Sequence, residues 1–540
     1  MDAATDVTTE DGRPGSATTR AIARAGIIVT VLFLLSRVLG YVRTIAIAGS
    51  VPEVGDLGPF FAAFRIPDLL FQLVAAGALS SALIPVLASL FATDEEARAW
   101  RVVSTVATLM LSALLVLVGL VLLVAPQLVA LITPGFDAAQ TAETTELTRI
   151  MVIAPLFLAA GAVATSALNA KEHFGAAALA PLVYNLAIIG AALWLAPAFG
   201  TVGLAWGVVL GSIGHLAVQL PTLARVGARI RPRIDVRDAQ ARLALVLMLP
   251  RAIGLGATQI VFVVLTSLAT TLGDEALPVF NFAFAVLQIP IGVIGVPLGV
   301  VLLPSLARQA ATSVTEVFTR LLVRGLAILV FVMVGIAALG IVVSEDVVRI
   351  LFGVAGISET AIEATGLALA VFLVGLTAHS LIAVLARAFY ALKDTLTPVL
   401  AALGTVVTSI VLAILLVGPF GLNGLAAAIA ISAWLETAAL AILLRGRVPD
   451  YGDGLRYVLV VMARSLVVAA AGGAVAWLVN QALLGAWGEV PGFLLLVART
   501  TFASAAGGLV IVGGALALRI TELRTIVEIV VDLLRRRGRA

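Results

Sequence analysis

"FGTVGLA" at residues 199–205 returns as "FGLNGLA" at 420–426. Two further pairs accompany it. "LSRVLG" at 35–40 matches "LPRAIG" at 249–254, and "LIPVLASL" at 83–90 matches "LLPSLARQ" at 302–309. The offsets are 221, 214 and 219 residues, nearly constant, and the three matches keep their order. Each match opens or closes an apolar run, so the repeated unit is a set of membrane-crossing helices.

Composition points the same way. Of 540 residues, 61% are apolar and 12% charged, and the mean hydropathy is +1.14. A soluble chain carries about 25% charged residues. Apolar runs long enough to span a bilayer recur from end to end, whereas the short alternating segments of a β-barrel are missing. The expected fold is an all-α polytopic membrane protein with about fourteen spans: 25–50, 57–90, 102–124, 148–170, 174–197, 201–224, 243–272, 277–307, 321–343, 362–386, 396–417, 421–444, 457–482 and 491–518.

Each copy of the repeat holds six spans, an even number, so the two lobes share one orientation about an axis along the membrane normal. Transporters built this way bind substrate between lobes near the midplane and alternate access by rocking them. The expected organisation is a disordered polar tail (1–20), an N-lobe (21–224), a basic connection (225–242), a C-lobe (243–445), an added pair of spans (446–518) and a basic amphipathic tail (519–540) lying on the inner leaflet.

Several chemistries are excluded. There is no cysteine, which removes disulfides, thiolate catalysis and thiolate-bound metal. His173, His215 and His379 are scattered, and no Gly-Lys pair exists to form a Walker A phosphate loop. No catalytic residue, metal site, cofactor or nucleic-acid partner is expected, and the chain reads as a transporter rather than an enzyme. With an inside N-terminus, 26 of the 34 Lys and Arg residues fall on the cytoplasmic side. Only Arg149 and Arg349 fall outside, so both termini are expected in the cytoplasm.

Six arginines lie well inside spans, away from their terminal residues: Arg37, Arg43, Arg65, Arg251, Arg464 and Arg499. A long basic side chain near a helix end can snorkel to the headgroups. That reading and a cavity role both stand for Arg43, Arg65, Arg251 and Arg464, and reaching outward equally suits Arg499. Arg37 lies too deep to escape and needs a wet cavity or a partner. Arg37 and Arg43 project about 120° apart on a helix, which suits a broad cavity better than one ion pair. Guanidinium matches phosphate through paired hydrogen bonds, so Arg37, Arg43, Arg65 and Arg251 are the candidate ligands of a phosphate or pyrophosphate substrate. Asp68 and Glu436 are the candidate ion-coupling carboxylates, with a plain hydrogen bond to a neighbouring helix as the alternative for Glu436. Pro67, Pro85, Pro290, Pro297 and Pro304 can bend spans 2 and 8.

"SRVLGYVR" (36–43), "FFAAFRIPDLL" (60–70), "GALSSALIPVL" (77–87), "LNAKEHFGAAALAPLVYN" (168–185) and "ARAFYALKDTLTP" (386–398) together resemble the MurJ/MviN family of lipid II flippases, within the multidrug, oligosaccharidyl-lipid and polysaccharide exporter superfamily. The resemblance covers about residues 20–520. It implies fourteen helices, with the last pair forming a groove for the lipid tail. It also implies translocation of an undecaprenyl-pyrophosphate-linked peptidoglycan precursor across the bacterial cytoplasmic membrane, driven by membrane potential or an ion gradient. Arg37 and Arg43 match the family's span-1 arginines, whose implied role is pyrophosphate binding, and Arg65 matches a basic position in span 2.

The chain departs from the family pattern at Gly58 and Pro59, at Phe71 and Gln72, at Ala76 and at Ala285, each where a polar or charged residue is usual. Arg251, on the repeat-equivalent helix, is the candidate to compensate. Alternatives left open are export of another lipid-linked oligosaccharide, cation-coupled export of small molecules, and a non-transporting scaffold that recruits cell-wall synthesis proteins. Intramembrane arginines outnumber carboxylates here, opposite to the pattern expected of a small-cation exporter.

Overall fold

A computed structural model describes residues 16–74, 78–312, 316–487 and 492–537. Every regular element among them is helical, as hydrocarbon demands of a chain whose backbone groups must bond within their own segment. The helices are α1 (Ser16–Ala48), α2 (Leu57–Val74), α3 (Ala78–Ala92), α4 (Glu96–Ile132), α5 (Ala138–Met151), α6 (Ala154–Ala170), α7 (Phe174–Gly190), α8 (Ala196–Ala217), α9 (Leu220–Arg225) and α10 (Ala239–Thr270). They continue with α11 (Ala276–Pro290), α12 (Val296–Thr312), α13 (Glu316–Val342), α14 (Ser344–Phe352), α15 (Glu359–Val374), α16 (Leu376–Ala391), α17 (Leu396–Arg445), α18 (Tyr451–Trp487), α19 (Phe493–Ala517) and α20 (Thr521–Arg537). Helix α1 begins at Ser16, inside the stretch expected to be disordered; residues 1–15 lie outside the described residues, as does Ala76.

Among the described residues, eight helical stretches are long and apolar enough to cross a membrane, or nine when α15 and α16, bent by 43°, count as one. Two of the eight, Phe174–Arg225 and Leu396–Arg445, each contain two arms. With α1, the α2–α3 pair and α10, they accommodate the fourteen expected spans.

The repeated "FG…GLA" motif is what divides those two stretches. Gly200 adopts φ 58°, ψ −142°, and Gly421 adopts φ 54°, ψ −132°. This region of backbone space is open essentially to glycine alone. Three residues on, a second glycine passes under the end of the preceding arm. A Cβ on Gly203 would stand 2.6 Å from the Leu195 carbonyl, and one on Gly424 would stand 2.1 Å from the Leu416 oxygen. Leu195 and Leu416 are themselves related by the repeat offset. After the reversal α8 runs back along α7, with Gly207 against Ala191 and Ile188, Gly211 against Tyr184, and Gly214 against Val183. Small residues let the two helices approach closely, which is how helices associate in lipid.

Contacts divide the chain into two compact units, the first reaching Ile260 and the second running from Val261 onward, with the short segments 53–58 and 133–135 joining the second. The division therefore falls within α10 and not in the 225–242 connection. The first part of α10 packs with the first unit for specific reasons. Gly256 leaves room for the Leu73 side chain, which a Cβ would meet at 2.4 Å, and Gln259 hydrogen-bonds Asp68.

Within the second unit, Arg499 on α19 does not reach outward, as one reading of the sequence allowed. It is 2% exposed and pairs with Asp346 of α14, itself 4% exposed. An uncompensated guanidinium in a dry interior is more expensive than a paired one. Nearby, Arg349 bonds Glu345 at 2.8 Å and also Glu359. The tail helix α20 is docked along its first half and does not merely lie on a leaflet. Leu523 and Ile526 pack on a cluster of Phe331, Val468, Ile511, Ala515 and Ile520, and the buried Glu522 accepts a hydrogen bond from the Tyr457 hydroxyl at 2.5 Å.

Two outcomes follow for thermal unfolding in detergent. Gly421→Ala is expected to cost about 1–3 kcal/mol for its backbone conformation, and Gly424→Ala more, because the clash is with backbone; an unchanged midpoint for both would show that the reversal does not need glycine. Arg499→Ala should cost about 3–5 kcal/mol by stranding Asp346, whereas Arg499→Met with Asp346→Leu should recover most of that loss.

Candidate functional site

Arg43 lies near the end of α1 and turns toward α7. Its Nη1 donates to Asn185 Oδ1 at 3.1 Å. The Asn185 amide nitrogen in turn donates to the Ser36 carbonyl at 3.3 Å. One side chain of α7 thus holds both the guanidinium and a carbonyl two turns earlier on α1, which fixes Arg43 against the helix pair. The Arg43 Nε is buried with no hydrogen-bond partner, and no carboxylate pairs with this arginine among the described residues. A guanidinium offers five N–H donors and no acceptor. Held by one amide, it retains donors for an anion.

A second cluster forms around Asp68 on α2. Gln259 of α10 donates to one carboxylate oxygen, and Gln72, one turn along α2, lies 3.5 Å from the other. Arg65 lies one turn before Asp68 and interacts with it electrostatically. Tyr184 sits within electrostatic reach of both Arg43 and Asp68, so α1, α2, α7 and α10 contribute to one polar region of the first unit. With Asp68 ionised, Arg43 and Arg65 leave that region one net positive charge. Asp68 is thus an internally bonded carboxylate, partnered by an arginine and two amides.

The remaining candidates are placed as follows. Arg37 is exposed on α1, and Tyr41, one turn on, shares a hydrogen bond with it. The Arg251 side chain lies outside the described residues. Glu436 is half-buried on the second arm of α17 and hydrogen-bonded to Thr405 of the first arm. Arg464 is exposed on α18. Among the departures, Gln72 is used, as an amide donor to Asp68, while Phe71 and Ala285 are half-buried and supply no charge. Among the described residues, no group of three or more His, Asp or Glu side chains is arranged to hold a metal ion.

Sequence reasoning did not single out Asn185, Tyr184 or Gln259. The first two end the "LNAKEHFGAAALAPLVYN" segment, where a polar pair closing an apolar helix was the available signal. Gln259 carried none, because a single amide in a span is common and its partner is distant in sequence.

Solved structures share this architecture. The chain matches a structure titled "Lipid II flippase MurJ, inward closed conformation" with a TM-score of 0.72 at 19% identity, covering 89% of this chain and 98% of that one. It matches an inward-facing multidrug resistance MATE transporter of the MOP superfamily with a TM-score of 0.64 at 17% identity, covering 79% and 99%. These likenesses show the fold: a multi-pass bundle of helices. The family profile described as "Lipid II flippase MurJ" matches residues 55–498. A "Lipid II flippase MurJ" of Burkholderia cenocepacia is 30% identical over 433 residues, covering 78% of this chain and 84% of that protein. A "Probable lipid II flippase MurJ" of Rhizobium tropici is 30% identical over 491 residues, covering 86% and 90%. The chain belongs to the lipid II flippase MurJ family, whose members are transporters and not enzymes.

Asn185→Ala tests the geometry. Removing a hydrogen bond to a charged group costs about 1.5–3 kcal/mol, so binding of a pyrophosphate-headed lipid should weaken roughly ten- to hundredfold, measured by native mass spectrometry. Unchanged binding would mean that the Arg43 orientation is not set by α7.

Proposed function

We propose that this protein flips lipid II, the undecaprenyl-pyrophosphate-linked peptidoglycan precursor, across the bacterial cytoplasmic membrane by alternating access. The observation that carries the reading is the Arg43 guanidinium, fixed by Asn185 and keeping a buried donor open, in a chain that matches the flippase family from residue 55 to 498. Pyrophosphate presents oxygens in the geometry a guanidinium matches. In this reading Arg43 binds the diphosphate, Arg37 lines the same path from the exposed face of α1, and Arg65 contributes field that Asp68 moderates. Arg251 is the fourth proposed ligand.

The lobes that rock are proposed to be residues 21–224 and 243–445, with the pair at 446–518 guiding the lipid tail. Net transport draws on the membrane potential or an ion gradient, with Asp68 and Glu436 as the proposed coupling carboxylates. Both termini are proposed to be cytoplasmic, because 26 of the 34 basic residues then lie on that side. Cell-wall synthesis proteins are the proposed protein partners, reached through the cytoplasmic loops.

The test is lipid II binding and flipping by purified protein carrying Arg37→Ala, Arg43→Ala or Arg43→Lys. Each alanine variant is expected to lose about tenfold or more in binding, and Arg43→Lys to recover only part of it, because lysine keeps the charge and loses the planar fork. Full transport by both alanine variants would overturn the reading. Equal, weak binding of lipid II and undecaprenyl phosphate in the wild type would redirect the search to another lipid-linked sugar.

A further inference from the structure

Two cavities of the second unit share a wall. One, of about 310 Å³, lies among α13, α16, α17 and α18 and is almost wholly apolar, bordered by side chains such as Leu326, Leu385, Ala438 and Met462. The other, of about 580 Å³, opens at the α17–α18 connection and is bordered by Arg445, Asp450, Asp453 and Arg456. Tyr451, Leu455 and Leu459 line both. A dry compartment and a charged one on either side of a common wall suit the two ends of an amphiphile.

Polar atoms in the dry compartment sharpen this. Trp434 Nε1 donates to the Val374 carbonyl at 2.9 Å, and Thr437 Oγ1 donates to the Ala378 carbonyl at 3.1 Å. The Tyr451 hydroxyl, on a residue 1% exposed, has no hydrogen-bond partner among the described residues. Buried hydroxyls are nearly always satisfied, and Tyr451 lines both compartments. Trp434 and Thr437 are each satisfied by a backbone carbonyl, so the open position calls for an acceptor from elsewhere.

The mouth holds both signs of charge. Arg445 and Arg456 are exposed and enter no ion pair among the described residues. The Arg445 guanidinium rests against the first turn of α18, where a Cβ on Gly452 would stand 3.2 Å from its Nε. Asp450 and Asp453 flank it. Two cations and two carboxylates balance a head group that carries a phosphate and an ammonium. A purely anionic head would leave the carboxylates unmatched.

We propose that the joined cavities hold one zwitterionic, amine-bearing phospholipid of the surrounding bilayer. Its phosphate rests on Arg445 and Arg456, and its ammonium on Asp450 and Asp453. An ester carbonyl accepts from the Tyr451 hydroxyl, and part of one acyl chain fills the apolar compartment. The site uses none of Arg37, Arg43 or Arg65 and does not rest on the flipping reading.

The experiment is native mass spectrometry of the purified full-length chain, delipidated in detergent and titrated separately with phosphatidylethanolamine, phosphatidylglycerol, undecaprenyl phosphate and chain-free glycerophosphoethanolamine. One phosphatidylethanolamine should bind about fivefold or more tighter than phosphatidylglycerol, and Arg445→Gln with Arg456→Gln should weaken it about tenfold, the loss of charge-assisted hydrogen bonds. Ala438→Phe, which fills the apolar compartment, should weaken the lipid and leave glycerophosphoethanolamine binding unchanged. Thermal unfolding without lipid confirms that each variant is folded; if Ala438→Phe is not, the arginine pair decides. Equal binding of the two phospholipids, insensitive to the arginine pair, would mean annular lipid only and overturn the proposal. Preference for undecaprenyl phosphate, or chain-free headgroup binding as tight as the lipid, would overturn it as well.

Discussion

A chain crossing a bilayer must satisfy its backbone amides within each helix, so where two arms meet with almost no connecting residues it needs residues that tolerate a conformation closed to side chains. Gly200 and Gly421 are those residues. Each takes a positive φ, and each is followed by a glycine that lets the returning arm start directly beneath the previous one. Each glycine is a non-helical break that joins two helical arms directly, which is how one stretch of 52 residues and another of 50 each supply two arms. The same constraint favours glycine and alanine along the α7–α8 contact, since close approach is what holds helices together in lipid.

Charge is governed by a related rule. A guanidinium removed from water is tolerated when something nearby compensates it, and the described residues show different compensations. Arg499 is neutralised by Asp346 and sealed from solvent. Arg65 interacts with Asp68, whose remaining hydrogen bonds come from amides. Arg43 meets only a neutral amide. These differences rank the three arginines by how much field and donor capacity each can still offer an anion, and Arg43 stands highest among them. The ranking comes from partners and not from depth, since Arg499 is the most buried of the three.

The departures from the family pattern acquire physical content in this setting. Gln72 keeps a polar contact with Asp68, so that position still takes part in the network without a charge of its own. Phe71, six residues beyond Arg65 on α2, is half-buried and contributes apolar surface where a polar or charged side chain is usual, and Ala285 does the same on α11 of the second unit.

The sequence by itself determined the helical membrane class, the approximate spans and the internal repeat, because hydropathy and glycine placement are local properties written along the chain. It also marked the span arginines, since a charge in an apolar run is conspicuous wherever it falls. What only the tertiary structure decided was partnership: that Arg43 is held by Asn185 some 140 residues away, that Arg499 is spent on Asp346, that Gln259 closes on Asp68, and that Tyr451, which lines two cavities, keeps a hydroxyl unpaired among the described residues. Periodicity tells which residues share a helix face. It carries no information about which distant helix that face will meet, and the energy of a buried polar group depends on that meeting.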